Sequence, residues 1–245
     1  MSPRITGSTA LRVLSQLRRD PRTVALLLVV PALLVVLLKY VLEGSPGSFE
    51  RLGGPLIGLF PFIVMFLVTS ITMLRERTTG TLERLLTLPL AKLDLLLGYG
   101  IAFGLVAAAQ VAIVAAVGIG WLGIDVAGPI WLLVVLAIGN ALLGMSLGLF
   151  VSAFATTEFQ AVQFMPVFVL PQLLLCGLFV ARDQMAHFLY VISYAMPLTY
   201  AYDALARVTT SDVFDRYLAR DIAVTAGVIL LSLALGAATL RRRTA

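Results

Sequence analysis

The sequence predicts an all-α membrane protein with six transmembrane helices, an N-terminal amphipathic interfacial helix and a re-entrant helical hairpin between the fifth and sixth spans. Of the 245 residues, 60% are hydrophobic and only 13% are charged, whereas soluble domains carry about 25% charged residues. The apolar residues fall in long blocks and the mean hydropathy is +1.00, which is typical of a chain that crosses a bilayer. This composition excludes a soluble globular domain and a disordered chain.

Six apolar blocks of at least 19 residues are long enough to cross about 30 Å of hydrocarbon. We place them at 24–42, 55–74, 95–122, 130–153, 161–181 and 222–240, in a single transmembrane domain that covers residues 1–245. The third block is long enough to tilt or kink. No small-x-small cleavage site follows the first block, so we expect a retained anchor helix there and not a cleaved signal peptide.

The basic residues indicate the orientation of the chain. Twelve of the 18 Arg and Lys residues fall in the N-terminal segment, in the connection between the second and third spans, and in the C-terminal tail. Because cytoplasmic loops carry an excess of positive charge, we expect both termini on the cytoplasmic side. This topology, together with anionic membrane lipid, accounts for the net charge of +5. Nucleic acid is therefore not an expected partner.

Two cytoplasmic stretches are not simple spans. Residues 4–22 mix leucines with arginines and predict an amphipathic helix in the membrane interface that Pro21 stops before the first span, although a charged topology signal is an equal alternative. The connection at 75–94 is charged, and Leu82, Leu85 and Leu86 share one face of a short helix that Pro89 ends. A docking helix for a soluble partner and a solvated loop are both open interpretations of this connection.

A further stretch, 184–208, contains two short helical segments on either side of Pro197, each too short to cross the bilayer. They predict a re-entrant hairpin, which is tolerated only where protein shields its backbone. An amphipathic loop lying on the membrane is the alternative. The residues that we single out in this hairpin are Tyr194, Pro197, Tyr200, Asp203 and Arg207.

The sequence carries no motif for catalysis. Neither Lys39 nor Lys92 follows a glycine-rich phosphate loop, and one His and one Cys cannot form a His/Cys metal cluster. No nucleophile–base set suits a membrane protease. We therefore expect that this chain is not an enzyme and binds no metal or cofactor. The spans also lack central charged residues, which argues against an ion-coupled carrier and an ion channel.

Two weaker patterns remain. Gly100-x-x-x-Gly104 and Gly144-x-x-x-Gly148 predict close packing between helices. Side chains of the second and fifth spans are candidates for lining a substrate path, although lipid-facing positions would have the same composition. These candidates are Phe60, Met65, Phe66, Thr69, Phe164, Phe168 and Gln172.

Three local motifs and their order resemble the ABC-2 family of transporter permeases. The motifs are Arg19-Asp20-Pro21-Arg22 before the first span, R-E-R-x-x-G-T-L-E-x-L at 75–85, and P-L-T-Y-A-x-D-A-x-x-R at 197–207. Within this family the chain is similar to bacterial multidrug and antibiotic exporters of the daunorubicin-resistance type. The resemblance covers nearly the whole chain and implies an ABC-2, type V exporter-like fold. One departure lies at 182–185, where many members approach the hairpin through a proline.

The resemblance implies a permease subunit of the bacterial inner membrane. It pairs with a second permease, identical or homologous, and with two copies of a separate P-loop ATPase that binds ATP and Mg. The segment 75–94 is then the coupling segment that contacts the ATPase. The coupling residues are Arg75, Glu76, Arg77, Gly80, Thr81, Glu83 and Arg84, with Glu158 as a further candidate.

These implications predict ATP-driven export of hydrophobic or amphipathic compounds, such as drugs, antibiotics or lipids. Export of polysaccharide or glycolipid is the nearest alternative substrate class. A non-transporting membrane scaffold or immunity protein is the alternative from another functional class.

Overall fold

The computed structural model describes residues 3–44, 46–81 and 92–239, and within these ranges every regular element is helical. A π-helical turn at Ala116–Trp121 extends the fourth helix, and 3-10 turns occupy Ser152–Phe154 and Arg182–Gln184. The α-helices in chain order are α1 (Pro3–Arg18), α2 (Pro21–Val41), α3 (Pro46–Thr78), α4 (Lys92–Ala115), α5 (Ile130–Val151), α6 (Glu158–Leu175), α7 (His187–Ser193), α8 (Pro197–Thr210) and α9 (Arg216–Thr239).

Six helices in the described part of the chain are long and apolar enough to cross a membrane, namely α2, α3, α4 with its π-helical turn, α5 with its 3-10 turn, α6 and α9. This confirms the prediction of an all-helical protein with six spans. Some bounds differ from those predicted: α6 ends at Leu175 and not at 181, and α9 already begins at Arg216. The chain turns after α6 at Gly177, whose φ of 100° is a conformation that favours glycine.

The predicted interfacial helix is shorter than 4–22, because α1 ends at Arg18 and α2 begins at Pro21. The side chain of Asp20 accepts a hydrogen bond of 3.1 Å from the backbone N–H of Thr23 and so caps α2. Proline suits the first position of a helix, since the N–H that it lacks has no partner there. Pro21 therefore starts the first span and does not end the helix before it.

The centre of the bundle is the crossing of α3 and α5. A Cβ atom on Gly144 would lie 2.2 Å from the carbonyl oxygen of Phe62, and one on Gly148 would lie 2.4 Å from that of Phe66. The second of the two glycine motifs therefore allows these helices to touch along their backbones. The hydroxyl of Thr69 reinforces the crossing with a 3.2 Å hydrogen bond to the Met145 carbonyl.

A proline and a glutamine join α2 to α4. Pro31 lies inside α2 and has no N–H to donate to the carbonyl of Leu27, four residues earlier. The side chain of Gln110 in α4 donates a 2.6 Å hydrogen bond to that carbonyl. A backbone acceptor in the bilayer region thus has a partner from the neighbouring helix, as the absence of water there requires.

The two short helices differ in burial. Most of α7 is exposed, whereas α8 packs against α3, α5, α6 and α9, and its apolar side chains are buried. The backbone N–H groups of Ala127 and Gly128 donate to the carbonyls of Thr209 and Val208 at the end of α8, at 2.9 and 3.0 Å. Protein therefore shields α8, which is the condition for a re-entrant segment.

The bundle has two distinct ends. One end contains α1, the C-terminal part of α3 and the N-terminal part of α4, and we name it the α1 end. The other contains α7, α8 and the N-terminal parts of α3 and α9, and we name it the short-helix end.

Candidate functional site

A buried polar network lies at the α1 end. One guanidinium nitrogen of Arg12 in α1 donates to the Glu76 carboxylate in α3 at 3.0 Å, and the other donates to the Tyr99 hydroxyl in α4 at 2.8 Å. The side-chain amide of Gln16 donates to the same carboxylate oxygen at 3.5 Å. Only 7% of the Glu76 side chain is exposed. The network therefore fixes α1 to the ends of two spans.

The network keeps the Arg12 guanidinium charged. Its partial burial disfavours the charged form, but the Tyr99 and Glu76 side chains outweigh this cost and raise the pKa of Arg12. The guanidinium also lies 5.7 Å from the centre of the Tyr99 ring, within the range of a cation–π interaction. A single arginine thus holds both an anion and an aromatic ring from different helices.

A second ion pair lies beside this network and is open to solvent. Arg75 near the end of α3 makes two parallel hydrogen bonds to Glu158 at the start of α6, of 2.8 and 3.0 Å. Their side chains are 62% and 54% exposed, respectively. Arg75 and Glu158 were predicted from separate connections as coupling residues, and the structure places them in direct contact.

A cleft of about 330 Å³ opens next to this ion pair. Asp20 and Thr23, at the junction of α1 and α2, form one wall of the cleft. The opposite wall includes three of the predicted coupling residues, Arg75, Glu76 and Thr81. The side chain and backbone of Thr23 bond to the Asp20 carboxylate and lower its pKa, so this wall is anionic at neutral pH.

The other predicted coupling residues are placed as follows. Gly80 follows the last turn of α3 with a φ of 71°, a left-handed conformation that ends the helix there. Arg77 is partly buried, and two of its guanidinium nitrogens have no hydrogen-bond partner within the described residues. Glu83 and Arg84 lie outside the described residues, and so does most of the predicted coupling segment.

The candidate path residues fall into two groups that the structure does not combine into one surface. Met65, Phe66 and Thr69 in α3 have no exposed surface, because they face the crossing with α5. Phe164 and Phe168 in α6 form an edge-to-face pair with ring centres 6.0 Å apart, and Phe168 is exposed. The other two candidates are Phe60, which is half-buried in α3, and Gln172, which is buried in α6.

Three of the five predicted hairpin residues, Tyr194, Pro197 and Tyr200, lie at or near the junction of the two short helices. Gln172 of α6 accepts a hydrogen bond of 3.2 Å from the backbone N–H of Leu198, directly after Pro197 at the start of α8. The Tyr200 hydroxyl donates to the carbonyl of Tyr194 at 2.9 Å, across the turn between the helices. The first bond ties the start of α8 to α6, and the second joins α8 to the end of α7.

The remaining two, Asp203 and Arg207, belong to a network of ion pairs at the short-helix end. Arg182 donates to Asp203, and Arg207 donates to Asp215 at 3.2 Å. Asp221, which is fully buried, pairs with Arg220 at 2.7 Å and lies 3.6 Å from Arg207.

Sequence reasoning missed the partners in both networks. Arg12 was visible only as a charge in an amphipathic segment, Tyr99 as an aromatic residue near a span end, and Asp221 as an acid directly before the last predicted span. The available signal was the position of Tyr99 close to the end of a span. It lies seven residues after the start of α4, which is about 10 Å along the helix. Within the ranges that the structure describes, no group of three or more His, Cys, Asp or Glu residues is placed to hold a metal ion.

Six apolar spans and an N-terminal helix fixed across the ends of two of them define a multi-pass membrane protein. The ABC-2 type transporter family model matches residues 7–209. The chain therefore belongs to the ABC-2 type transporter family, as the sequence resemblance indicated.

Two relatives extend this comparison. The chain is 30% identical over 157 residues to a protein of Escherichia coli K12 described as "Probable multidrug ABC transporter permease YbhR", and the match covers 64% of this chain and 43% of the relative. It is 23% identical over 164 residues to ABC transporter G family member 20 of Dictyostelium discoideum, with 66% of this chain and 22% of that protein covered. The matched region thus spans less than half the length of these relatives.

Proposed function

We propose that the chain is the membrane-spanning permease of an ATP-driven exporter that moves hydrophobic or amphipathic compounds across or out of the membrane. A separate P-loop ATPase, present in two copies, supplies the energy and binds the ATP and Mg. A second permease, identical or homologous, completes the transporter. In this proposal the membrane is a bacterial inner membrane and both termini are cytoplasmic.

The observation that carries this proposal is the arrangement at the α1 end. The exposed Arg75–Glu158 pair offers charged groups to a soluble partner. One residue further along α3, the buried carboxylate of Glu76 is held by Arg12 of α1, which also holds Tyr99 of α4. A force applied to the end of α3 therefore reaches α1, α4 and α6 through direct contacts. Such a connected set of helices suits the transmission of ATPase movement to the spans.

This arrangement gives the predicted coupling residues two roles. Arg75, Thr81 and Glu158 are accessible and contact the ATPase. Glu76 acts inside the permease, since its carboxylate is buried and already bonded to Arg12 and Gln16. A closing ATPase pair pushes the accessible residues, and the buried network carries the displacement to the interface helix and the third span.

The substrate class rests on two observations. The exposed face of α6 carries an edge-to-face phenylalanine pair and further large apolar side chains, and the Escherichia coli relative is described as a multidrug permease. Both favour an apolar or amphipathic compound. A polysaccharide or glycolipid exporter would need aromatic rings arranged along a polar path to stack on sugars. A scaffold or immunity protein would bind its ligand without any requirement for ATP hydrolysis.

The first experiment is purification of the complex from its own membranes in mild detergent, with mass spectrometry of the bound proteins and their stoichiometry. We expect a P-loop ATPase in about one-to-one ratio with the permease. Recovery of the chain alone, or with unrelated proteins, would contradict the proposal and favour the scaffold interpretation. A second permease in the complex would identify the transporter as a heterodimer.

The second experiment tests the coupling surface with a charge reversal. Glu158→Arg places two cations side by side on the exposed surface, and we expect a loss of export of more than tenfold at normal membrane abundance. Glu43→Arg is the matched control, because Glu43 is also exposed but follows α2 at the other end of the span. Equal export in the two variants would remove Glu158 from the coupling surface.

A further inference from the structure

The short-helix end contains a cavity of about 310 Å³ that the proposed transport mechanism does not use. It lies between the start of α3, the turn after α6 and one face of α8. Its polar lining consists of Arg51, Arg182, Tyr202, Asp203, Arg207 and Thr210.

The charges around this cavity do not cancel. Arg182 pairs with Asp203, and Arg207 pairs with Asp215. Asp221 forms an ion pair with Arg220 and also lies close to Arg207. Three of the residues that line the cavity are arginines and only one, Asp203, is an acid, so the lining itself carries more positive than negative charge.

Arg51 is the source of this excess. Within the described residues, Arg51 has no carboxylate within ion-pair distance, and it lies beside the hydroxyl of Tyr202. Burial raises the pKa of Tyr202 to about 12, so its hydroxyl keeps its proton and can donate a hydrogen bond. The cavity thus offers a guanidinium fork and a neutral donor next to each other.

The rest of the lining is apolar and leaves room. Cys176, Ala181 and Ala206 contribute small side chains to the wall. At Gly177 a Cβ atom would contact Arg182 and Tyr202 at 3.5 Å, and the φ of 100° disfavours any side chain there. The turn after α6 therefore keeps this wall of the cavity clear.

The position of the cavity relates it to the membrane surface. Arg51 follows directly on the start of the span that begins at Phe49, and Cys176 follows directly on the end of the span Glu158–Leu175. The ends of spans lie at the depth of the lipid headgroups. A cationic cavity with a partly apolar wall at that depth matches a molecule with an anionic head and an apolar tail.

We infer that this cavity binds the phosphate or a similar oxyanion of an amphiphile, with Arg51 as its ion-pair partner and Tyr202 as a hydrogen-bond donor. A guanidinium presents parallel N–H groups that fit the oxygens of a phosphate. The bound anion neutralises the charge that no aspartate in the described network compensates. The oxyanion belongs either to a bilayer phospholipid or to a soluble phosphate, and both present the same group to Arg51.

The test uses the purified full-length permease in detergent and does not require the ATPase. Native mass spectrometry measures binding of phosphatidylglycerol, of diacylglycerol, which has the same tails but no phosphate, and of inorganic phosphate as a competitor. We expect the wild-type chain to prefer phosphatidylglycerol and Arg51→Gln to bind it about tenfold more weakly, because a charge-assisted contact is lost. Arg51→Lys keeps the charge but loses the parallel N–H groups, so it should recover only part of the affinity.

Arg216→Gln is the matched control, since Arg216 is an exposed arginine of the same end that does not line the cavity. Displacement of the lipid by inorganic phosphate in the wild type supports a site for the oxyanion itself, and retention of the lipid supports a site that also needs the tail. Equal binding of the two lipids, or unchanged lipid binding in Arg51→Gln, overturns the inference. Lipid binding is measured on the permease alone. A negative binding result would therefore not contradict the proposed export function, and a negative export result would not affect the binding test.

Discussion

The α1 end and the short-helix end both join helices through arginine–carboxylate pairs, but the pairs connect different kinds of segments. At the α1 end, Arg12 and Glu76 are 64 residues apart and link an interface helix to a span. At the short-helix end, Arg182 and Asp203 are 21 residues apart, and Asp221 is shared with its own neighbour Arg220. The first network joins distant parts of the chain, whereas the second orders one local region.

The ends also differ in where their charged groups meet solvent. The α1 end places an exposed pair, Arg75–Glu158, next to a buried one, so a surface for a partner is directly connected to the interior. At the short-helix end, Arg182 and Asp203 are both mostly buried, and Asp221 is fully buried beside two arginines that are about two-fifths exposed. This difference indicates that the α1 end transmits the effect of partner binding to the spans, whereas the short-helix end stabilises the fold around a cavity.

The largest expected effect is the loss of the fully buried acid at the short-helix end. Asp221→Asn removes the negative charge with which both Arg207 and Arg220 interact. We expect it to lower the free energy of unfolding by about 3 kcal/mol, which is the lower end of the range for removing one partner of a buried ion pair. Both arginines are about two-fifths exposed, which limits the cost. Reversible unfolding in mixed micelles of dodecyl sulfate measures the change.

Asp215→Asn is the control for that variant, because it removes another acid that contacts Arg207. Its side chain is 35% exposed, so we expect a cost below about 1 kcal/mol. An equal loss in the free energy of unfolding for the two variants would mean that burial does not distinguish these acids. It would contradict the interpretation that the short-helix end has a structural role.

The second prediction concerns the pH dependence of the short-helix end. Burial raises the pKa of Asp203 to about 6 from its ordinary value of 3.8, although the neighbouring arginines act in the opposite direction. The folded state therefore binds this proton more tightly than the unfolded state. The stability that Asp203 contributes is greatest below pH 4 and is lost as the pH rises through about 6. The charged and titratable groups around it are Arg182, Arg207, Arg220, Asp221, Cys176 and Tyr202.

Comparison of the wild type with Asp203→Asn isolates this contribution, because other carboxylates titrate in the same range in both proteins. The difference in the free energy of unfolding between pH 4 and pH 7 should be about 2 kcal/mol, because a pKa change of about two units is worth about 3 kcal/mol and part of it titrates below pH 4. Parallel stability curves for the two proteins would show that the pKa of Asp203 does not differ between the folded and unfolded states.

The number and order of the spans could be predicted because they depend on where apolar residues lie along the chain. Blocks of apolar residues, turn prolines and the placement of arginine are visible in a single sequence. The ends of the helices were less predictable, because they depend on local capping. Pro21 reads as a terminator or as a first helical residue, and only the bond from Thr23 to Asp20 decides between them.

Pairings between distant residues could not be predicted at all. Pro31 and Gln110 are both visible as unusual residues within spans, but their contact through the Leu27 carbonyl depends on the relative rotation of α2 and α4. Arg75 and Glu158 were each predicted from the connection between spans in which they lie. Their contact with each other depends on α3 packing beside α6. Side-chain contacts across a bundle follow from such rotations, which a periodic pattern does not specify.

The smallest expected effect sharpens the comparison within the α1 end. A double-mutant cycle with Arg75→Ala and Glu158→Ala should give a coupling energy below about 1 kcal/mol, since both side chains are more than half exposed. The corresponding cycle with Arg12→Ala and Glu76→Ala should give a clearly larger value, because the carboxylate is buried and accepts from two side chains. Unfolding in mixed micelles measures both cycles on one scale. Comparable coupling energies would show that the exposed pair also holds the fold together, and Arg75 and Glu158 would then be poor candidates for a surface that exists to meet a partner.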